Sequence, residues 1–384
     1  MSTTAALGFT AAGVVAGLKS TGKPDLALVV NQGPKFAAAG VFTTNRVKAA
    51  PVRWTQELFA EGRSPRAVVL NSGGANACTG PQGLADTEAT AALVAELTGL
   101  RTNQVAVCST GLIGQLLPME KLLAGVRAAH GELSRIGGDD AALAIMTTDS
   151  VPKTAVRTGN GFIVGGMAKG AGMLAPSLAT MLVVITTDAD LSPEQLDVAL
   201  RAATNRSFDR IDSDGCMSTN DTVLLLASGA SGVTPPEGEF ARLLEQVCAE
   251  LALKLIGDAE GAHKDVRIHV SSAASEADAI DVARAVSRSN LLKCAITGED
   301  PNWGRVLAAI GTTDAMFDPD EIDVAINGIW VCRDGMAGDD RDLVDMSGRQ
   351  VTITISLRAG DDEATLWTND LTAEYVHENS AYSS

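Results

Sequence analysis

Histidine, aromatic side chains, positive charge and long apolar runs are all scarce in this chain, and each scarcity removes a class of function. Four histidines scattered over 384 residues make a histidine-based metal site improbable, and no metal is expected. Lysine and arginine total 30 against 47 aspartates and glutamates, a formal net charge of −17. Such a surface repels phosphate backbones, so nucleic acid is not an expected partner. The six cysteines, Cys78, Cys108, Cys216, Cys248, Cys294 and Cys332, contain no C-x-x-C pair and match no zinc spacing. They read as reduced, mostly buried thiols of a cytoplasmic protein. No uninterrupted apolar span reaches membrane length, so no membrane partner is expected. The first residues, MSTTAALGFTAAGVVAGLK, lack a basic segment ahead of their apolar run, and glycines interrupt it. They read as a strand, not a signal peptide.

What remains is a small-residue chain. Hydrophobic residues make up 46%, aromatics only 4%, and there are 38 glycines, which together suit a compact α/β protein with close backbone packing. The length suits two or three domains. Strands are expected at Arg66 to Leu70 and Gln104 to Cys108, each ending in a Gly-rich loop. Helices are expected from Ala85 to Leu97 and from Pro118 through Val126, with the proline in the first turn. Gly159-Asn160-Gly161 suggests a hairpin. Met181 to Ile185 is continuously apolar, the pattern of a strand buried on both faces. Ser192-Pro193-Glu194-Gln195 reads as a capping box. Further on, Thr222 to Ala227 is strand-like, Glu237 to Ile256 is an amphipathic helix, and a strand and a helix follow at Asp265 to Val270 and Glu276 to Val286. Strands dominate after Glu321, with a turn at Asn327-Gly328. Soft boundaries near 190 and 285 divide the chain into 1–190, 191–285 and 286–384.

The segment Gly165 to Ala189, GGMAKGAGMLAPSLATMLVVITTDA, is the most informative. Thr180 stands immediately before the apolar strand, and Gly170, Gly172, Ala175 and Pro176 lead up to it. A hydroxyl reached through a flexible loop can be held against its own upstream carbonyl. Spacing alone favours an ordinary strand threonine. The Gly-rich loops NSGGANACTG and GGMAKGAG do not fit the phosphate-loop pattern, and by themselves are tight turns.

KGAGMLAPSLATMLVVITTDA closely resembles the signature of the ornithine acetyltransferase family, also called glutamate N-acetyltransferase. NSGGANACTG, STGLIG, MTTD, STNDT, DAEGA, DPNWGRV and ENSAYSS resemble further family blocks, in family order from end to end. The resemblance implies an α/β fold, a layered α-β-β-α sandwich like that of self-processing N-terminal-nucleophile enzymes, with a smaller α+β C-terminal part. It implies self-cleavage between Ala179 and Thr180, giving an α chain of 1–179 and a β chain of 180–384, assembled as an α2β2 heterotetramer. The implied reaction moves acetyl from N2-acetyl-L-ornithine to L-glutamate through an acetyl-Thr180 intermediate in cyclic arginine biosynthesis. No cofactor is implied, although some members also take acetyl-CoA as donor. Thr110 and Gly111 correspond to the oxyanion hole. Thr147, Lys169, Thr180, Glu260, Asn379 and Ser384 correspond to substrate-binding positions. The chain departs from the family pattern at Gly74, often asparagine, at Ala171, often serine, and at Cys216-Met217, often Asp-Thr; none carries an implied chemical role.

The chemistry suits these residue types. A hydroxyl is a weak nucleophile at neutral pH and needs a base. An N-terminal threonine supplies its own, because an α-amine has a reference pKa of roughly 7.7–8. Two other readings stay open. A self-processing aminopeptidase or amidase would use the same Thr180 but pass the acyl group to water. A Gly-rich ligand-binding protein would stay in one piece.

Overall fold

The computed structural model describes residues 2–175 and 181–381; Ala179, Thr180 and Ser384 lie outside the described residues. The chain runs β1 (Phe9–Val14), β2 (Leu26–Asn31), β3 (Ala37–Phe42), α1 (Ala50–Ala60), β4 (Ala67–Ser72), α2 (Gly80–Thr98) and β5 (Val105–Thr110). It continues through α3 (Met119–Gly131), α4 (Gly138–Ala144), β6 (Lys153–Thr158), β7 (Ile163–Lys169), β8 (Leu182–Thr187), α5 (Pro193–Asn205), β9 (Thr222–Ala227) and α6 (Glu239–Gly257). The last part comprises β10 (Asp265–Ala273), α7 (Glu276–Ser287), α8 (Asn290–Thr297), α9 (Trp303–Ile310), β11 (Asp323–Ile326), β12 (Ile329–Arg333), β13 (Met336–Ala337), β14 (Gln350–Ser356), β15 (Asp362–Asn369) and α10 (Ala373–Ala381).

Strand alternation sets the layers. One sheet has the order β1-β2-β4-β5 and a second the order β3-β9-β8-β7-β6. In β5, Ala106 and Cys108 point to one core and Val105 and Val107 to another. In β8, Leu182 and Val184 join the first of these cores, while Val183 and Ile185 face a third. The sheets therefore pack face to face around Val29, Leu70, Cys108, Met167, Val184 and Leu226. Leu93, Val94, Leu122 and Val126 of α2 and α3 cover the outside of the first sheet. Leu200 of α5 and Leu244, Val247 and Leu251 of α6 cover the outside of the second. Burial of alternate residues on both faces is what turns β8 into a continuous apolar run. The result is the expected α-β-β-α sandwich.

The C-terminal part is a six-stranded sheet, β13-β12-β11-β14-β10-β15, with its own core against α7, α8 and α9. The expected boundary near 190 falls inside the second sheet, because β8 and β9 pair in parallel on either side of it. The boundary near 285 falls within α7, after β10 has entered the C-terminal sheet. Pro118 is the N-cap of α3, one residue ahead of its expected place in the first turn. DPNWGRV opens α9, where the side chain of Asn302 accepts the N–H of Arg305 at 3.2 Å.

Candidate active site

The site grows from the ends of strands in both sheets. Thr110 closes β5 and is buried. Its carbonyl accepts the N–H groups of Gly73 and Gly74 at 2.9 and 3.0 Å, which folds the NSGGANACTG loop over the strand end. Gly111 follows with φ 131°, and a Cβ there would lie 2.5 Å from the nitrogen of Gly74. Only glycine allows that approach. Asn220 fastens the turn, its Nδ2 donating to the carbonyls of Ala75 at 2.7 Å and Ser109 at 2.8 Å. The STNDT block thus supports STGLIG from the other sheet.

Lys169 closes β7, opposite Leu182 of β8. Its side chain is enclosed, only 1% exposed, and Nζ donates to Oγ1 of Thr110 at 3.2 Å. Burial lowers the Lys169 pKa from its ordinary value, against the opposing pull of Asp149. Asp149 accepts from the N–H of Thr147 at 2.9 Å, from the N–H of Gly170 at 2.7 Å and from Nζ of Lys153 at 2.6 Å. Burial raises the Asp149 pKa, but Lys169, Lys153 and the Gly170 N–H outweigh it and hold the carboxyl below the usual range. Lys153 is itself fully buried and also pairs with Asp258 at 2.6 Å.

Glu260 follows α6 and meets the end of the chain. Oε1 accepts the Thr148 hydroxyl at 2.7 Å and Oε2 accepts Nδ2 of Asn379 at 3.0 Å. Gly261, at φ 62°, lets α10 approach: a Cβ there would lie 2.3 Å from the nitrogen of Tyr375. The hydroxyl of Thr372 donates to the Gly261 carbonyl at 2.6 Å and fixes the start of α10. Asn379 is thereby carried to the cavity from the far end of the sequence.

These side chains line one cavity of about 140 Å³. Thr110, Gly111, Thr147, Lys169, Glu260 and Asn379 all reach it. Sequence reasoning singled out none of Thr148, Asp214 or Tyr375, which line it too. Thr148 stood inside the MTTD block, whereas Asp214 and Tyr375 had no spacing signal. Ala179, Thr180 and Ser384 lie outside the described residues. Met181, the covalent neighbour of Thr180, is buried, and its N–H donates to Oδ1 of Asp221 at 3.0 Å. Burial raises the pKa of Asp221 well above its ordinary value.

The departures from the family pattern sit around this cavity. A Cβ at Gly74 would meet Cδ2 of Leu117 at 2.6 Å, the Ala171 carbonyl accepts the Glu260 N–H at 2.9 Å, and Cys216 lines the wall. The thiols are less buried than expected. Cys108, Cys248 and Cys332 are enclosed, but Cys78, Cys216 and Cys294 are exposed, since loops and an outer helix face carry them. Enclosure pushes the Cys108 pKa up to about 12. Among the described residues no helix is long and apolar enough to cross a membrane.

Fold and cavity define a layered α/β protein with a charged pocket where strand ends from two sheets meet. The chain belongs to the ArgJ family, whose pattern matches residues 10–384, and it is an enzyme of arginine biosynthesis. It is 66% identical to the arginine biosynthesis bifunctional protein ArgJ of Streptomyces coelicolor over 100% of both chains. It is 62% identical to the ArgJ protein of Thermobifida fusca, again over 100% of both. A solved chain of ornithine acetyltransferase from Mycobacterium tuberculosis, complexed with ornithine, is 55% identical and covers 47% of this chain and 96% of its own, with a TM-score of 0.43.

Proposed function

We propose that this protein is a glutamate N-acetyltransferase that carries acetyl from N2-acetyl-L-ornithine to L-glutamate on the hydroxyl of Thr180. The observation that supports this reading most is the Lys169–Thr110 contact at the floor of a cavity that Thr147, Glu260 and Asn379 also reach. Leu182, two residues after Thr180 in sequence, pairs with Lys169.

Maturation comes first. The Thr180 oxygen attacks the carbonyl carbon of Ala179, the peptide C–N bond breaks, and an ester and a free α-amine form. Water then cleaves the ester, leaving a carboxylate on Ala179 and the hydroxyl on Thr180. In turnover the free amine takes the hydroxyl proton as oxygen attacks the acetyl carbonyl of acetylornithine. That proton passes to the leaving amine, ornithine departs, and acetyl stays on Thr180 as an ester. The glutamate amine attacks the ester, its surplus proton passes by way of Glu260 to the departing Thr180 oxygen, and N-acetylglutamate leaves with the hydroxyl restored.

Each tetrahedral stage carries an oxyanion, for which the Thr110 hydroxyl and the Gly111 N–H are the donors. Because Lys169 donates to Oγ1, the hydroxyl hydrogen of Thr110 is free to point elsewhere. Such a chain of donors strengthens each hydrogen bond in it. Acetyl-CoA would deliver acetyl to the same oxygen with its thiol as leaving group and no other cofactor. The processed α and β chains assemble as an α2β2 heterotetramer in the cytoplasm. Incubation with N-acetylornithine alone tests the reading. Denaturing mass spectrometry should find one added acetyl on the β chain at Thr180. Turnover without an acetylated chain would overturn the covalent route.

A further inference from the structure

Asp214 is a cavity carboxylate that the reaction above does not use. It lies between α5 and β9 in the segment Asp212 to Met217, and its two oxygens are fixed by backbone. Oδ2 accepts the N–H of Met173 at 2.7 Å and Oδ1 accepts the N–H of Cys216 at 3.1 Å. The Tyr375 hydroxyl reaches Oδ2 at 3.5 Å. Two cations near this segment are committed elsewhere. Arg288 pairs with Asp212 at 2.7 Å, and Lys293 donates to the Ser213 carbonyl at 2.5 Å and to the Thr368 hydroxyl at 3.0 Å. Among the described residues Asp214 forms no ion pair. Burial raises its pKa, with Lys293 giving only partial relief. A half-buried carboxylate held rigidly toward a cavity, without a cation of its own, suits a cationic ligand group.

The second carboxylate of the cavity is placed differently. Glu260 is held by the Thr148 hydroxyl and the Asn379 amide, whereas Asp214 is held by the Met173 and Cys216 N–H groups and the Tyr375 hydroxyl. The cavity thus has a buried ammonium at Lys169 and, on a different segment of the chain, a carboxylate at Asp214 that forms no ion pair among the described residues, with Met173 also on its wall. A molecule with a carboxylate at one end, an ammonium at the other and methylenes between them complements this arrangement.

We infer that Asp214 is a specificity-determining residue that binds the side-chain ammonium of the ornithine moiety. This rests on the proposed function for the identity of the ligand. Glutamate carries a carboxylate in place of that ammonium, so Asp214 gives it no attraction. One position therefore separates donor from acceptor recognition.

Calorimetric binding of ornithine, norvaline and glutamate to the purified protein tests the inference. Norvaline has the same carbon chain as ornithine and lacks the ammonium. The wild-type protein should bind ornithine about tenfold to a hundredfold more tightly than norvaline. Asp214→Asn should abolish that preference and leave glutamate binding unweakened. A merely structural role would weaken both ligands together. Asp214→Ser, which removes the same charge, serves if the Asn chain is not recovered folded. Ornithine binding unchanged in either neutral variant, or ornithine and glutamate lost alike, would overturn the inference. Binding needs no acetyl chemistry, so the two readings fail separately. A protein that shows the Asp214-dependent preference but transfers no acetyl retains this inference and loses the proposed reaction. A protein that transfers acetyl with an unchanged preference in the variants does the reverse.

Discussion

Nζ of Lys169 lies 3.2 Å from Oγ1 of Thr110, so a single hydrogen bond joins the end of β7 in one sheet to the end of β5 in the other. By family resemblance, Lys169 was expected to bind substrate. In the folded chain it also supports the hydroxyl assigned to the oxyanion. Removing it should therefore affect more than binding.

Thr110→Ala should lower kcat by roughly 10²–10³ with little change in KM, and should slow self-cleavage, since both reactions share the oxyanion. Lys169→Ala should lower kcat as well as raise KM. In the double variant the kcat losses should fall well short of additive, because both changes break one contact. Fully additive losses in steady-state assays would separate the two residues.

Thr180→Ala removes the attacking oxygen and should leave the chain at full length on a denaturing gel. Thr180→Ser keeps a hydroxyl and should yield both fragments, more slowly. Complete processing of the alanine variant would exclude Thr180 as the maturation nucleophile.

Lys153 is buried between Asp149 and Asp258, both at 2.6 Å. Asp149→Ala leaves that ammonium with one partner and also frees the N–H groups of Thr147 and Gly170. The loss should be about 3–5 kcal/mol, as for other broken buried pairs, measured as a shift in the denaturant midpoint. Asp149 has a native pKa below its ordinary value, so its contribution is full above the unfolded pKa and fades as pH falls through the native one. The gap between wild type and variant should therefore narrow in acid.

Lys293 has the opposite pH signature. Burial lowers its pKa to about 8, against Asp212, Asp214 and Asp370, from an ordinary 10.5. Between those values the unfolded chain holds a proton that the native protein has released, so this group makes stability rise with pH. The slope approaches about 1.4 kcal/mol per pH unit. Relative to wild type, Lys293→Met should lose that rise. Parallel stability curves from pH 8 to 10.5 would show that Lys293 stays charged when folded.

Much of the local structure was legible because it depends on neighbours in sequence. β9 occupies Thr222 to Ala227 as read, and the Gly159-Asn160-Gly161 turn joins β6 to β7. Ser192 caps α5 by accepting the N–H of Gln195 at 3.3 Å. α1 and α8 were not anticipated, α8 being only 8 residues long and too short for a clear period. α9 carries its cap signal in Asn302, within the DPNWGRV block.

The sequence by itself determined that β8 is covered on both faces, because apolar residues on its successive positions can be buried only in that way. It also determined the cap at Ser192, which depends on residues only three positions apart. The tertiary structure alone decided which charges face one another. Asn379 reaches Glu260 across 119 positions and Lys169 reaches Thr110 across 59, distances over which no periodicity carries information. Asp214 became a cavity residue only when its loop folded against Met173 and Tyr375. Side-chain electrostatics depends on separation in space and on loss of water, and both are fixed only after the sheets have packed.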